Sequence, residues 1–163
     1  MATTVTTKEI IRLFLIPLVG AIGMFVLQPI LYQSQIIRLT DVKPQIWVNA
    51  HYFPAAMIVF GLAIFTALGW CALNVMSQPS SASAAKRRVT WWWMMLGIPL
   101  FGIGLAIFLS RQGILAPKGS NDATISLICL FLIDVIWLYW LTTATSTSGL
   151  AKFIPPMASL FRK

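Results

Sequence analysis

Few side chains in this 163-residue chain could do chemistry, and the one that stands out is Asp134. It lies at the midpoint of ISLICLFLIDVIWLYWLTT, residues 125–143, an apolar run with no other charge. At a rise of ~1.5 Å per residue such a helix crosses the ~30 Å hydrocarbon layer and puts the carboxyl near its centre. A charge at that depth costs on the order of 3 kcal/mol, so the group faces protein or a wet cavity and ordinarily keeps its proton. Acids so placed are default candidates for proton and ion pathways. When the apolar runs are aligned by depth, Thr66 falls close to Asp134, with the carbonyls of Phe25 and Met95, freed by Pro29 and Pro99, within about two turns. No Lys or Arg lies at that level. A protonated Asp134 would donate to Thr66 or a freed carbonyl and pin helix packing. An ionised one would need a cation, a pigment or another subunit.

The rest of the chemical supply is thin: one histidine, three other acids and two cysteines. His51, beside Asn49 and Tyr52, is expected at the outer mouth of the second span. There it serves either as an axial ligand to a single pigment or haem, or, more ordinarily, as an interfacial histidine bonded to water or backbone. One histidine excludes bis-histidine haem and multi-histidine metal sites. Cys71 and Cys129 differ by roughly 15 Å in depth, too far for a disulfide, and read as small apolar packers. Gln28, an amide inside the first apolar run, is expected to make an interhelical hydrogen bond. No nucleotide-binding, metalloprotease, redox-dithiol or serine-hydrolase motif is present.

Residues that must hold Asp134 are overwhelmingly apolar. With 58% hydrophobic and 10% charged residues, the chain cannot coat a soluble globule. The fold expected is an all-α membrane protein, a bundle of four transmembrane helices in a single domain, with spans at about 10–32, 53–76, 90–110 and 125–143. Pro17 and Pro29 predict a kinked first helix, and Pro54 suits the first turn of the second. Ala63 with Ala67, and Gly102 with Ala106, form small-residue ridges that let helices approach closely.

Connections set the orientation. Residues 34–52 mix charge with apolar side chains and read as a loop lying on the membrane surface, with Trp47 and Tyr52 at headgroup level. Lys86, Arg87 and Arg88 close a Ser/Ala linker and, as the strongest basic cluster, place that connection and both termini on the cytoplasmic side. The remaining charges agree: Lys8, Arg12, Lys152, Arg162 and Lys163 fall inside with them, and Arg38, Lys43, Arg111 and Lys118 fall outside. Trp91, Trp92 and Trp93 sweep roughly 200° of helix and therefore read as interfacial anchors, together with the basic cluster. Residues 150–163, broken by Pro155 and Pro156, read as a C-terminal segment on the membrane surface.

A net charge of +8 scattered over connections argues against nucleic acid. Scarce chemistry places an enzyme last. The expected function is a non-catalytic accessory subunit or assembly factor of a larger membrane complex, of energy-transducing or photosynthetic type, in a plasma or thylakoid-type inner membrane. Its partners would be lipids and other membrane subunits or further copies of itself, with pigment or quinone contact at the bundle surface. The alternative is a small oligomeric proton- or ion-coupled carrier or channel that uses Asp134.

Overall fold

A computed structural model of the chain describes residues 7–39, 43–76, 81–111, 121–146 and Pro155. Among these residues every regular element is helical and there is no strand. Four helical segments are long and apolar enough to cross a membrane: Ile10–Gln33, Pro44–Asn74, Lys86–Leu109 and Thr124–Thr145. That arrangement is compatible with an integral, multi-pass membrane protein. Apart from Pro155, the C-terminal surface segment lies outside the described residues.

Two helices start earlier than the apolar pattern alone suggests. The second begins at Pro44, nine residues before Phe53, and Trp47 N–H already bonds to the Lys43 carbonyl at 3.1 Å. Proline in the first turn costs no hydrogen bond, which makes Pro44 rather than Pro54 the starting residue. Residues 44–52 are therefore helix, and Trp47 and Tyr52, expected at headgroup level, are buried in the bundle. The third helix runs over Ala82–Arg111, so Lys86, Arg87 and Arg88 sit on a helix instead of in a loop. Alanines 82, 84 and 85 favour helix, and the Ser81 hydroxyl caps the end by accepting from Ala84 N–H at 3.2 Å.

Small residues let the helices close. Ala63, Ala67 and Ala106 are fully buried. A Cβ on Gly102 would fall 2.7 Å from Leu62 Cδ1, so the second and third spans approach closely there and a side chain at 102 would displace Leu62. Gly20 does the same for the first and fourth spans, where an added Cβ would lie 2.5 Å from Leu138 Cδ2. Polar ties cross the first–fourth seam twice and the third–fourth seam once. Tyr32 and Ser126 hydroxyls share a 2.9 Å bond, Trp137 Nε1–H donates to the Ile16 carbonyl at 3.1 Å, and Tyr139 O–H donates to the Trp92 carbonyl at 2.8 Å.

Aromatic side chains fill one end of the interior. Tyr32, Trp47 and Tyr52 interlock, with the Tyr32 and Trp47 rings 4.5 Å apart, and Phe131 closes on Tyr52 at 5.8 Å. Burial is uneven across the spans. Only 6% of the apolar window of the first span is covered, against 39%, 28% and 33% for the others in order. The first span is thus the helix most open to lipid or to another chain.

Candidate functional site

Three departures from α-helix surround Asp134. Gly23–Leu27 is a π turn that ends just before Gln28, Val48–Tyr52 is a second that ends on Tyr52, and Ile136–Leu141 is a third that begins two residues after Asp134. A π turn re-aims the side chains beyond it and often marks a functional position.

Proline explains two of the three. In the π register Gln28 N–H bonds to the Gly23 carbonyl, five residues back, so the acceptor that Pro29 leaves behind is Met24 rather than Phe25. Tyr52 places its hydroxyl 2.6 Å from that Met24 carbonyl. In a membrane such a carbonyl must find another partner, and Tyr52 supplies it. The same order of π turn, one residue, then proline recurs at Val48–Tyr52, Phe53 and Pro54.

Tyr52 also reaches Gln28, with 2.6 Å between its hydroxyl and Oε1, and Gln28 Nε2–H donates to Asp134 Oδ1 at 2.7 Å. The string joins the second, first and fourth spans. All three side chains are buried, Asp134 with 5% of its surface exposed. Asp134 Oδ2 is buried as well and has no hydrogen-bond partner among the described residues.

Beside this carboxyl lies a cleft of ≈ 230 Å³ between the first and fourth spans. Val19, Gly20, Gly23 and Leu27 form one wall and Ile133 and Trp137 the other, with Gln28 and Asp134 as its polar residues. Val19, Leu27, Ile133 and Trp137 are each at least two-fifths exposed, so the cleft opens sideways onto the lipid-facing surface. Nothing lies within 4 Å of a Cβ built on Gly23, which leaves a dent in the first span level with the carboxyl.

Compared with protein-family models, curated proteins and solved structures, the chain matches none of them.

Other residues singled out in the sequence take different places. Thr66 turns its hydroxyl back onto its own helix, donating to the Leu62 and Ala63 carbonyls at 2.7 and 3.0 Å, and does not meet Asp134. His51 is buried on the second π turn, with its ring 6.0 Å from that of Trp47. Trp91 and Trp93 are exposed, whereas Trp92 is a buried tie between helices rather than a surface anchor, donating from Nε1 to Thr143 Oγ1 at 3.0 Å. Lys86 and Arg87 are exposed, and Arg88, half-buried, donates from Nη1 to Asn74 Oδ1 at 3.1 Å. Cys71 is buried and Cys129 exposed, both as free thiols. No cluster of three or more His, Cys, Asp or Glu side chains occurs among the described residues.

Chemically, Gln28 delivers a donor to one oxygen of Asp134, and the other oxygen, buried and unpartnered among the described residues, belongs to a carboxyl that lines an apolar cleft. Such an oxygen can donate an acid proton or accept an N–H or O–H hydrogen bond. Tyr52 was hidden in the sequence because residues 34–52 read as surface loop. Its only signal was the proline two residues downstream, which sits inside a helix that starts at Pro44.

Proposed function

We propose that the protein is a non-catalytic subunit or assembly factor of a larger membrane complex, and that it holds a neighbouring subunit's transmembrane helix at the Asp134 cleft. The observation that carries this reading is the Asp134 carboxyl, which lines a cleft that opens to lipid and whose buried Oδ2 has no partner among the described residues. Lipid tails cannot satisfy such a group, whereas a donor or acceptor on a partner helix can, and intramembrane polar contacts of this kind add about 0.6–2 kcal/mol to helix association. The sparse burial of the first span supports the same reading, since that helix forms half of the cleft and offers the bundle's least covered face.

A carrier would need Asp134 to exchange protons or ions with water on both sides. The cleft walls are apolar beyond Gln28 and Asp134, and the string runs through the Gln28 amide, which does not relay protons readily. Both features weigh toward docking.

Retention in native membranes tests this. A tagged wild-type protein, solubilised in mild detergent, is expected to bring a membrane subunit through purification in stoichiometric amount. Asp134→Leu should cut that yield about tenfold, and Asp134→Asn, which keeps an acceptor and a donor, should retain most of it. Equal recovery with Asp134→Leu would remove the cleft from the contact.

A further inference from the structure

A second cleft, of ≈ 240 Å³, lies where the second span ends and the third helix begins. Its lining is Trp70, Leu73, Arg88 and Trp91, none of them from the Asp134 site. For scale, one water is admitted by roughly 10–15 Å³. Arg88 is held in place: its Nη1 donates to the Leu73 carbonyl at 3.3 Å and to Asn74 Oδ1 at 3.1 Å. Asn74 is itself fixed, since its Nδ2 donates to the Trp70 carbonyl at 2.9 Å. A relay through two buried residues thus orients one guanidinium at the cleft.

The polar side-chain groups lining this cleft are donors. Arg88 and the two indoles carry N–H groups and no carboxylate is among them, and the buried Nε1 of Trp70 has no acceptor among the described residues. Lys86 and Arg87, both exposed on the same turn as Arg88, add positive charge. A wall of this composition fits an acceptor-rich anion. Next to it the surface is apolar, with Leu73, Met76, Trp91 and Met94 all exposed. Charge beside grease at a helix end is the situation of a phospholipid headgroup with its acyl chains.

We propose that this cleft binds the phosphodiester of one anionic phospholipid, with Arg88 as the residue that takes the phosphate and Trp91 and Leu73 flanking the start of its chains. Trp70 contributes an indole N–H that is buried and has no acceptor among the described residues. The site is independent of the Asp134 cleft, and its failure would leave the docking reading untouched.

Phosphatidylglycerol and phosphatidylcholine, titrated separately into detergent micelles of the full-length protein, test it, with bound lipid counted by native mass spectrometry. Wild type is expected to take up one phosphatidylglycerol saturably and to prefer it over phosphatidylcholine. Arg88→Gln should weaken that binding about tenfold or more, because the lost contact is charge-assisted. The double substitution Lys86→Gln/Arg87→Gln, which removes more charge from outside the cleft, should weaken it severalfold less than Arg88→Gln does. If Arg88→Gln does not fold, Trp70→Phe keeps an aromatic ring while deleting the N–H together with the five-membered ring, and is expected to weaken binding a few-fold. Unchanged binding in the folded variant, or a larger loss from Lys86→Gln/Arg87→Gln than from Arg88→Gln, would overturn the proposal. So would inorganic phosphate that displaces nothing lipid-bound but stabilises the protein as strongly as the lipid does.

Discussion

Gln28→Leu is expected to destabilise the bundle by about 2–4 kcal/mol, the largest effect of any single polar-to-apolar change at the site. Its amide serves two neighbours at once, accepting from Tyr52 at 2.6 Å and donating to Asp134 at 2.7 Å. Leucine has nearly the same volume, so packing is preserved and the loss is electrostatic. Tyr52 keeps the Met24 carbonyl as an acceptor, but Asp134 is left with neither oxygen hydrogen-bonded. The consequence is tested by a second change. Adding Asp134→Leu to Gln28→Leu removes the orphaned acid and should recover more than half of the loss, since replacing both partners of a buried polar pair by apolar groups is often close to neutral. Thermal unfolding read by a thiol-reactive dye suits this comparison, because Cys71 is buried and becomes reactive on unfolding, with Cys129→Ser removing the exposed thiol. A double variant less stable than Gln28→Leu alone would refute the pairing.

Gly20→Leu should have a comparable effect by a steric route. A Cβ at this position already falls 2.5 Å from Leu138 Cδ2 and 2.9 Å from Trp137 Cδ1. Leu138 is fully buried, so either its side chain repacks or the first span backs away from the fourth, and overpacking of this kind costs about 1–3 kcal/mol. The displacement also strains the bond from Trp137 to the Ile16 carbonyl and the one from Gln28 to Asp134, which cross the same seam. Gly20→Leu is therefore expected to lower the unfolding temperature and, together with it, the recovery of the proposed partner subunit, while Gly20→Ala does both to a smaller extent. A Gly20→Leu protein with wild-type stability would show that the first span is not seated against Leu138.

Much of the fold is legible in the residues. Four apolar runs of spanning length predict four helices, and the glycines and alanines at positions 63, 67, 102 and 106 mark where two of them touch. The start of the second helix is not legible, because Lys43 and the polar Gln45 and Asn49 give residues 43–52 the texture of a surface loop. A start at Phe53 places the middle of the span too far toward its C-terminus, so that alignment by depth brings Thr66 to Asp134 and leaves Tyr52 at the membrane edge. With the helix running from Pro44, Tyr52 comes level with the site instead.

Gln28 and Asp134 are both conspicuous as polar side chains in apolar runs, but their pairing is not. Gly20 faces Leu138 and Tyr32 faces Ser126, so the residue level with Asp134 is close to Met24. Gln28 lies one turn further on. It reaches back because helical side chains lean toward the N-terminus of their helix, and because the preceding π turn has rotated it. The tryptophan triplet shows the same limit. A sweep of roughly 200° says that the three indoles point apart, but only packing against Tyr139 and Thr143 decides that Trp92 is the one turned inward.

Site-specific photocrosslinking from position 133 addresses the central claim most directly. Ile133 lines the cleft beside Asp134 and is 58% exposed, so a photoreactive residue there samples whatever covers the opening without disturbing the core. In native membranes the expected product is a covalent adduct with a transmembrane segment of another subunit, lost when Asp134→Leu is introduced in the same chain. Adducts with lipid alone, or only with a second copy of this chain, would contradict it.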